Sequence, residues 1–286
     1  MKDYVVKKVI TRASIGIIAL AGGSLVYNNY QTRSHLTEYH QKLHTTAFAS
    51  APTWQLAKTL PAPVERYIRF TFPNGVPALA VTEVTMRGDF RLPQHQDFNP
   101  TTARQSLSPA LPALVFEAKT PIYPGIWALA YDAYLNGEME MKAKLFAALT
   151  VMDQPQSVEL NRISLRRWLL ESPLYPQALL PGKYTRWEAI DNTHARVIAE
   201  YQGLRTSMIA EIDNEGRLSS LRAENDGDLN TPYHGSGEYA ARSDYRLING
   251  MMIPHKFTIA RHARGVDYPF WRGELTSYSA SLYPQQ

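Results

Sequence analysis

Hydrophobic and polar residues alternate with a period of two over most of the chain beyond residue 78, the period of half-buried strands. Thr82, Val84, Met86, Gly88 and Phe90 form one face, and Val81, Glu83, Thr85, Arg87 and Asp89 the other. Residues 93–112, rich in Pro, Gln, Ser and Thr, predict a long loop or the approach to a strand over Leu114 to Thr120. Ile126 to Leu135 runs into Asn136-Gly137, the dipeptide preferred in a type I′ turn, and Glu138 to Ala148 returns. On that return Met139, Met141, Ala143, Leu145 and Ala147 alternate with Glu138, Glu140, Lys142 and Lys144. Turn signals at Asp191-Asn192-Thr193, Asp213-Asn214-Glu215-Gly216, Asp226-Gly227-Asp228 and Asn249-Gly250 separate later strands. Leu204, Thr206, Met208, Ala210 and Ile212 repeat the alternation there, as do Ile253, Phe257 and Ile259.

Helical periodicity interrupts this pattern twice. Leu160 to Gly182 divides the β-rich part into two halves, with Asn161 placed as an N-cap and Leu160 and Leu165 as a hydrophobic staple. Leu165, Trp168 and Leu169 share one face, and Pro173 and Pro176 end the helix. Within Leu60 to Phe72, Val64, Tyr67 and Ile68 share a face in the same way. An apolar helix face among strands implies a sheet for it to cover. The expected fold is mainly β: roughly ten strands in a curved antiparallel sheet, forming a half-barrel or barrel covered by a helix, with 59–286 as a single domain.

The first 58 residues follow neither pattern. Residues 1–12 are basic, and Ala13 to Tyr27 is an uncharged apolar run that Val9, Ile10 and Tyr30 extend. Residues 1–30 therefore predict a cytoplasmic tip and a transmembrane signal anchor, with residues 9–30 in the inner membrane. Lys2, Lys7, Lys8 and Arg12 precede the run and only Arg33 and Lys42 follow nearby, which puts the amino terminus inside and the folded part outside, in the periplasm of a two-membrane cell. The alternative is a secreted chain after signal cleavage, although Ala19-Leu20-Ala21 and Ala47-Phe48-Ala49 are both poorly spaced for it. Residues 31–58 predict a polar, helical, juxtamembrane stalk bearing His35, His40 and His44. His40 and His44 share a face, but no carboxylate completes a metal site in the sequence.

Composition narrows the chemistry. With 286 residues, 44% of them hydrophobic, the chain can bury a full core. Its net charge of +4 is mostly local: residues 1–30 carry +3, leaving 26 basic against 25 acidic residues elsewhere. The folded part thus lacks the electrostatic footprint of a nucleic-acid binder. Zero cysteines exclude a disulfide framework, a thiolate zinc site, a thiol nucleophile and an acylated-cysteine anchor.

Motifs for chemistry are sparse. Gly235-Ser236-Gly237 has the wrong spacing for a nucleophile elbow, and no phosphate-binding glycine loop, dinucleotide fingerprint or H-E-x-x-H occurs. His255 and His262 are seven apart in one expected strand and so point to opposite faces. Asp226, Asp228 and Asn230 begin like a calcium loop, yet Thr231 and Gly237 stand where that loop needs glycine and glutamate. Asp132, Glu188, Glu224 and Asp244 are carboxylates that folding could pair. Asp267 to Gly273, DYPFWRG, gathers aromatic rings and an arginine suited either to stacking on a ligand or to a barrel seam.

LPAPVERYIRF (60–70), MRGDFRL (86–92), LYPQALLPG (174–182), RWEAID (186–191), SDYRLINGMMIPHKFTIA (243–260) and DYPFWRG (267–273) occur in collinear order. Together they resemble an uncharacterised bacterial family of domain-of-unknown-function proteins over about residues 58–283. The chain departs from that pattern at Phe116-Glu117, where a tryptophan is expected. The resemblance implies no catalytic residues; its strand-rich pattern looks like the half-barrel of envelope lipoprotein carriers, in which a curved sheet and a helical lid enclose acyl chains.

The leading functional expectation is a membrane-anchored extracytoplasmic binding or carrier module for a hydrophobic ligand, of lipid or acyl type, needing no cofactor and no metal. Trp127, Met139, Met141, Leu165, Trp168, Leu169, Tyr175 and Trp271 are the residues expected to border that ligand. The alternative is a non-catalytic structural or interaction protein of the envelope with a fully packed core. A hydrolase with an unrecognised site, assembled from scattered residues, is the third reading.

Overall fold

The computed structural model describes residues 2–50, 54, 59–92, 94–230 and 237–284, with side chains from Leu20 onward. Helix α1 is Lys2–Ala49 and α2 is Ala62–Thr71. Six strands follow: β1 Leu79–Arg91, β2 Phe98–Ser108, β3 Ala113–Tyr123, β4 Ile126–Leu135, β5 Glu138–Leu145 and β6 Leu149–Gln154. Helix α3, Val158–Glu171, leads through 3-10 turns at Ser172–Leu174 and Pro176–Leu179 into the second set. These strands are β7 Thr185–Ala189, β8 His194–Tyr201, β9 Leu204–Ile212, β10 Leu218–Ala223, β11 Tyr239–Ile248, β12 Met251–Ala263 and β13 Val266–Leu282.

All thirteen strands form one antiparallel sheet, in the order β6-β5-β4-β3-β2-β1-β13-β12-β11-β10-β9-β8-β7. Two meanders, one on each side of α3 in sequence, are thus joined along the β1–β13 seam. Gly88 and Gly273 face each other across it, so closely that a Cβ on Gly88 would lie 2.1 Å from the Arg272 carbonyl oxygen. Only glycine accommodates that approach.

The sheet is curved and does not close, since β6 and β7 remain as edges. Its curvature follows from α3, which touches β4 and β5 near one edge and β8 and β9 near the other. One helix can meet both only if the sheet wraps around it, so α3 lies in the concave groove. The two wings also meet at their hairpin tips: a Cβ on Gly137 would lie 2.9 Å from Cβ of Gln202. The principal core fills the groove, with Val84, Leu107, Leu114, Met139, Leu165, Trp168, Leu169, Val197, Met208 and Ile253 all buried.

The Asn136-Gly137 and Asn249-Gly250 turns form where the sequence places them, all four residues in the left-handed region. Other expectations need correction. β2 and β6 run through 98–108 and 149–154, which the sequence pattern leaves without strands, and the described residues hold thirteen strands where roughly ten are expected. Pro100 sits near the start of β2, where a missing N–H is tolerated, and β6 is short and exposed. Helix α3 begins three residues before Asn161, because Ser157 in extended conformation accepts the amide of Leu160. Asn161 instead accepts the amide of Met139 and ties the helix to β5.

Residues 28–49, expected as part of a solvated stalk and the end of the anchor, pack on the convex face of the sheet. Leu36, Leu43 and Ala47 form a stripe against Val81, Val115, Leu129, Ala133 and their neighbours. The three histidines dock on glutamates from three strands: His35 on Glu140, His40 on Glu117 and His44 on Glu83, at 3.0–3.2 Å. No helix is long and apolar enough to cross a membrane among the described residues. The side chains of residues 13–19, which carry half of the expected anchor, lie outside them.

Candidate functional site

The interface between α3 and the concave face is the part of the interior whose chemistry departs from an ordinary core. Leu165, Trp168 and Leu169 seat the helix by their shared apolar face, and each is almost fully buried. The Trp168 indole donates to the carbonyl of Ser108 at 2.9 Å, and the Tyr175 hydroxyl donates to the carbonyl of Trp168. Charged groups flank this apolar seat on both sides. Arg167 pairs with Asp132 on β4 and lies over the ring of Phe116. Glu171 pairs with Arg242 on β11 at 2.8 Å, and Arg242 also donates to the carbonyl of Leu170. Arg166 reaches Glu238, just before β11, at 3.0 Å.

The helix is therefore latched by ion pairs to both wings of the curl. Burial pushes the Asp132 carboxyl above its ordinary value, and the Arg167 guanidinium opposes that shift. Burial also lowers the Arg166 guanidinium, against the pull of Glu238. Replacing buried ion pairs by apolar residues is commonly neutral or stabilising by about 1–4 kcal/mol, so their presence is not accounted for by stability.

Gln105 adds a second anomaly. It projects from β2 on the concave side between Ala103 and Leu107, its neighbours on the same face in the core, and is 1% exposed. Neither its amide nitrogen nor its amide oxygen has a partner among the described residues, and the hydroxyl of Tyr134 has none either. Each unmatched buried group costs about 1–3 kcal/mol. Gln105 lies opposite Phe116 in the β2–β3 register, and Phe116 lies opposite Asp132. The unmatched amide and the Arg167–Asp132 pair thus share one row of the concave face.

Seven of the residues expected to border a ligand, Met139, Met141, Leu165, Trp168, Leu169, Tyr175 and Trp271, come together in this core. Trp127 does not; it lies on the convex face, with Phe146, Lys119 and Arg33 around its ring. The polar members of the site, Gln105, Arg166, Arg167, Glu171, Glu238 and Arg242, were not among the expected residues. Asp132 was signalled by its place between Ala130 and Tyr134 on the apolar face of β4. The double arginine at 166–167 inside an apolar helix was a comparable signal.

The remaining carboxylates lie elsewhere. Glu188 and Glu224 share Arg196, each at 2.9 Å, and Asp244 pairs with Arg246. In DYPFWRG, Asp267 holds Arg222 and His262, while Phe270 and Trp271 enter the core as seam residues. His255 bonds the carbonyl of Ile253, and among the described residues it shares no partner with His262. Asp226 accepts the amide of Arg264, and the rest of the calcium-like stretch from Thr231 to Ser236 lies outside the described residues. No group of three potential metal ligands gathers among the described residues. An open trough of about 920 Å³ crosses the convex face between Lys256 and Pro121, with Arg87–Glu274 as an ion pair along it.

This architecture carries a recognisable sequence pattern over most of its length. The match to a family described as "Family of unknown function (DUF6920)" spans residues 58–279, from just before α2 into β13. The chain belongs to that family. The match takes in the whole concave site, and α1 lies before it. Comparison with curated proteins finds no match.

Proposed function

We propose that the protein is a membrane-anchored, extracytoplasmic binding or carrier module for an amphipathic ligand of lipid or acyl type, seen with its lid helix α3 closed. The observation that carries this reading is the buried Gln105 with both amide atoms unmatched, beneath a helix latched by ion pairs. An interior that serves only to hold the fold gains nothing from these groups. An interior that alternates between a closed state and a ligand-bound state has a use for them: the amide and the Asp132–Arg167 row can receive a polar head, and the apolar wall beyond can receive a chain. Anchoring rests on the uncharged run Ala13 to Tyr27 behind a basic tip.

The test is native mass spectrometry of the chain from residue 28 onward, which keeps the contacts of α1 with the sheet. Expression in a bacterial periplasm and purification without detergent should yield adducts that extract as lipid. A clean apo mass, unchanged after incubation with phospholipids and fatty acids, would remove these ligands from consideration.

The second reading, an interaction module with a packed core, is favoured by the burial of Met139, Met141, Leu165, Trp168, Leu169, Tyr175 and Trp271, none more than 6% exposed. A Gln105→Met variant separates the two readings by its effect on ligand capture.

A further inference from the structure

Helix α1 is unbroken from Lys2 to Ala49, so its rise fixes where the sheet stands relative to the apolar run ending at Tyr27. Asn29 donates its side-chain amide to the carbonyl of Phe146 at 2.5 Å. Two residues of helix advance by about 3 Å, so the turn between β5 and β6 sits level with the end of that run.

This turn is costly in a telling way. Phe146 and Ala147 both have positive φ, at 54° and 55°, and Ala148 closes the turn on the carbonyl of Leu145. The comparable turns at Asn136-Gly137, Gln202-Gly203, Asn249-Gly250 and Arg264-Gly265 each place glycine second. Left-handed backbone costs an ordinary residue about 1–2 kcal/mol, and an Asn-Gly pair would relieve it. The chain keeps a large aromatic residue there instead.

The neighbouring surface is apolar and basic. The amide of Phe146 bonds the carbonyl of Trp127, which brings the β3–β4 turn alongside. Tyr123 and Ile126 on that turn are exposed, as are Leu149 and Val151 on the edge strand β6. Lys119 lies 4.6 Å from the centre of the Trp127 ring, and Lys144 reaches back to Thr32 on α1. An exposed apolar edge strand in water is an aggregation hazard. Aromatic residues ringed by lysine and arginine are what the headgroup layer of an anionic bilayer accepts.

We propose that this corner of the sheet, formed by the β3–β4 turn, the β5–β6 turn and β6, seats in the interfacial layer of an anionic membrane. The domain then lies against the bilayer instead of standing away from it on a stalk. The inference rests on the reading of Ala13 to Tyr27 as the membrane-spanning run.

The absence of cysteine makes single spin labels clean. The full chain, carrying Tyr123→Cys, Leu149→Cys, Leu247→Cys or Leu20→Cys one at a time, is reconstituted in nanodiscs of phosphatidylcholine with phosphatidylglycerol. Leu247 is an exposed apolar position at the far end of β11, and Leu20 lies within the apolar run. Labels at 123 and 149 should collide with lipid-dissolved oxygen, relative to an aqueous nickel chelate, several-fold more than the label at 247. Values at 123 and 149 equal to that at 247, with the label at 20 in lipid, would show an anchored domain standing off and overturn the inference. A label at 20 in water would instead remove the anchor, and the inference with it.

Discussion

Replacing Gln105 by methionine should make the ligand-free protein more stable, an unusual expectation for a buried position. The two side chains have the same length, and methionine ends in one atom where the amide forks into two, so the substitution keeps most of the packing beside Ala103, Leu107 and Phe116. It removes two buried polar groups that have no partner among the described residues. Each such group costs about 1–3 kcal/mol, and the folded chain relaxes enough to recover part of that, so a net gain of about 1–3 kcal/mol is expected. For a chain of this size a gain of that order raises the thermal midpoint by several degrees, provided unfolding is cooperative. Calorimetry on the chain from residue 28, with and without copurified lipid, reads both parts of the argument. The variant should melt higher when empty and, on the carrier reading, should lack the additional stabilisation by lipid expected of the parent. A loss of stability beyond ~1 kcal/mol in the empty form would mean that the amide is matched in the closed state. The functional reading would then lose the observation that carries it. A gain in stability with ligand capture unchanged would fit the packed interaction module.

Other outcomes follow from the same contacts. Trp168→Ala should cost about 3–5 kcal/mol in chemical denaturation, and Trp168→Phe distinctly less, because the ring fills the groove while its N–H serves one carbonyl. Burial opposes ionisation of Glu117 and Glu140, yet hydrogen bonds outweigh it and hold both below the ordinary glutamate value of 4.5. The bonds come chiefly from His40 and Arg104 to Glu117, and from Tyr131 and His35 to Glu140. Because the folded values are depressed, their contribution is complete above 4.5 and is lost as pH falls through the folded values, so amide exchange of residues 28–49 should accelerate there. Glu117→Gln should weaken the same docking by about 2 kcal/mol at neutral pH, read by proteolysis of α1. Phe146→Asn combined with Ala147→Gly should raise stability by about 1 kcal/mol while lowering retention on anionic membranes.

The meander, the Asn136-Gly137 hairpin and both short helices were legible because each rests on local periodicity or turn chemistry. β2 was hidden by its proline and its run of Thr, Arg and Ser, although Ala103, Gln105 and Leu107 do alternate with Thr102, Arg104 and Ser106. The docking of α1 was half legible. Leu36, Leu43 and Ala47 recur at helical spacing, but their partners and the glutamates that meet the histidines lie up to 105 positions away. The apolar members of the concave site followed from alternation in β5 and periodicity in α3. Of its polar members only Asp132 and the arginines at 166–167 left a local trace, as charges within apolar patterns, whereas the unmatched amide of Gln105 is a property of three-dimensional surroundings that no local pattern encodes.

The two faces of the sheet are covered in different ways, and the difference says where movement is possible. Helix α1 crosses β5 to β1, within one meander, with Leu36, Leu43 and Ala47 as an apolar stripe beside its histidines. Helix α3 instead ties one meander to the other, through Asp132 on β4 and Arg242 on β11. Releasing α3 therefore uncouples the wings, which otherwise share the β1–β13 seam and the touching tips at Gly137 and Gln202. Ligand uptake should open those tips. A Gly137→Cys, Gln202→Cys variant sets two Cβ atoms 2.9 Å apart, closer than the roughly 3.5–4.5 Å of a disulfide, so the tips must part by about 1 Å for the bond to form, and no native cysteine competes. The oxidised form should exclude lipid that the reduced form of the same variant takes up, and because both forms carry the same strain at position 137, that strain cancels from the comparison. Equal uptake by the two forms would show that α3 opens without the wings, and would relocate the entrance to the gap between the helix and the unpaired edges β6 and β7.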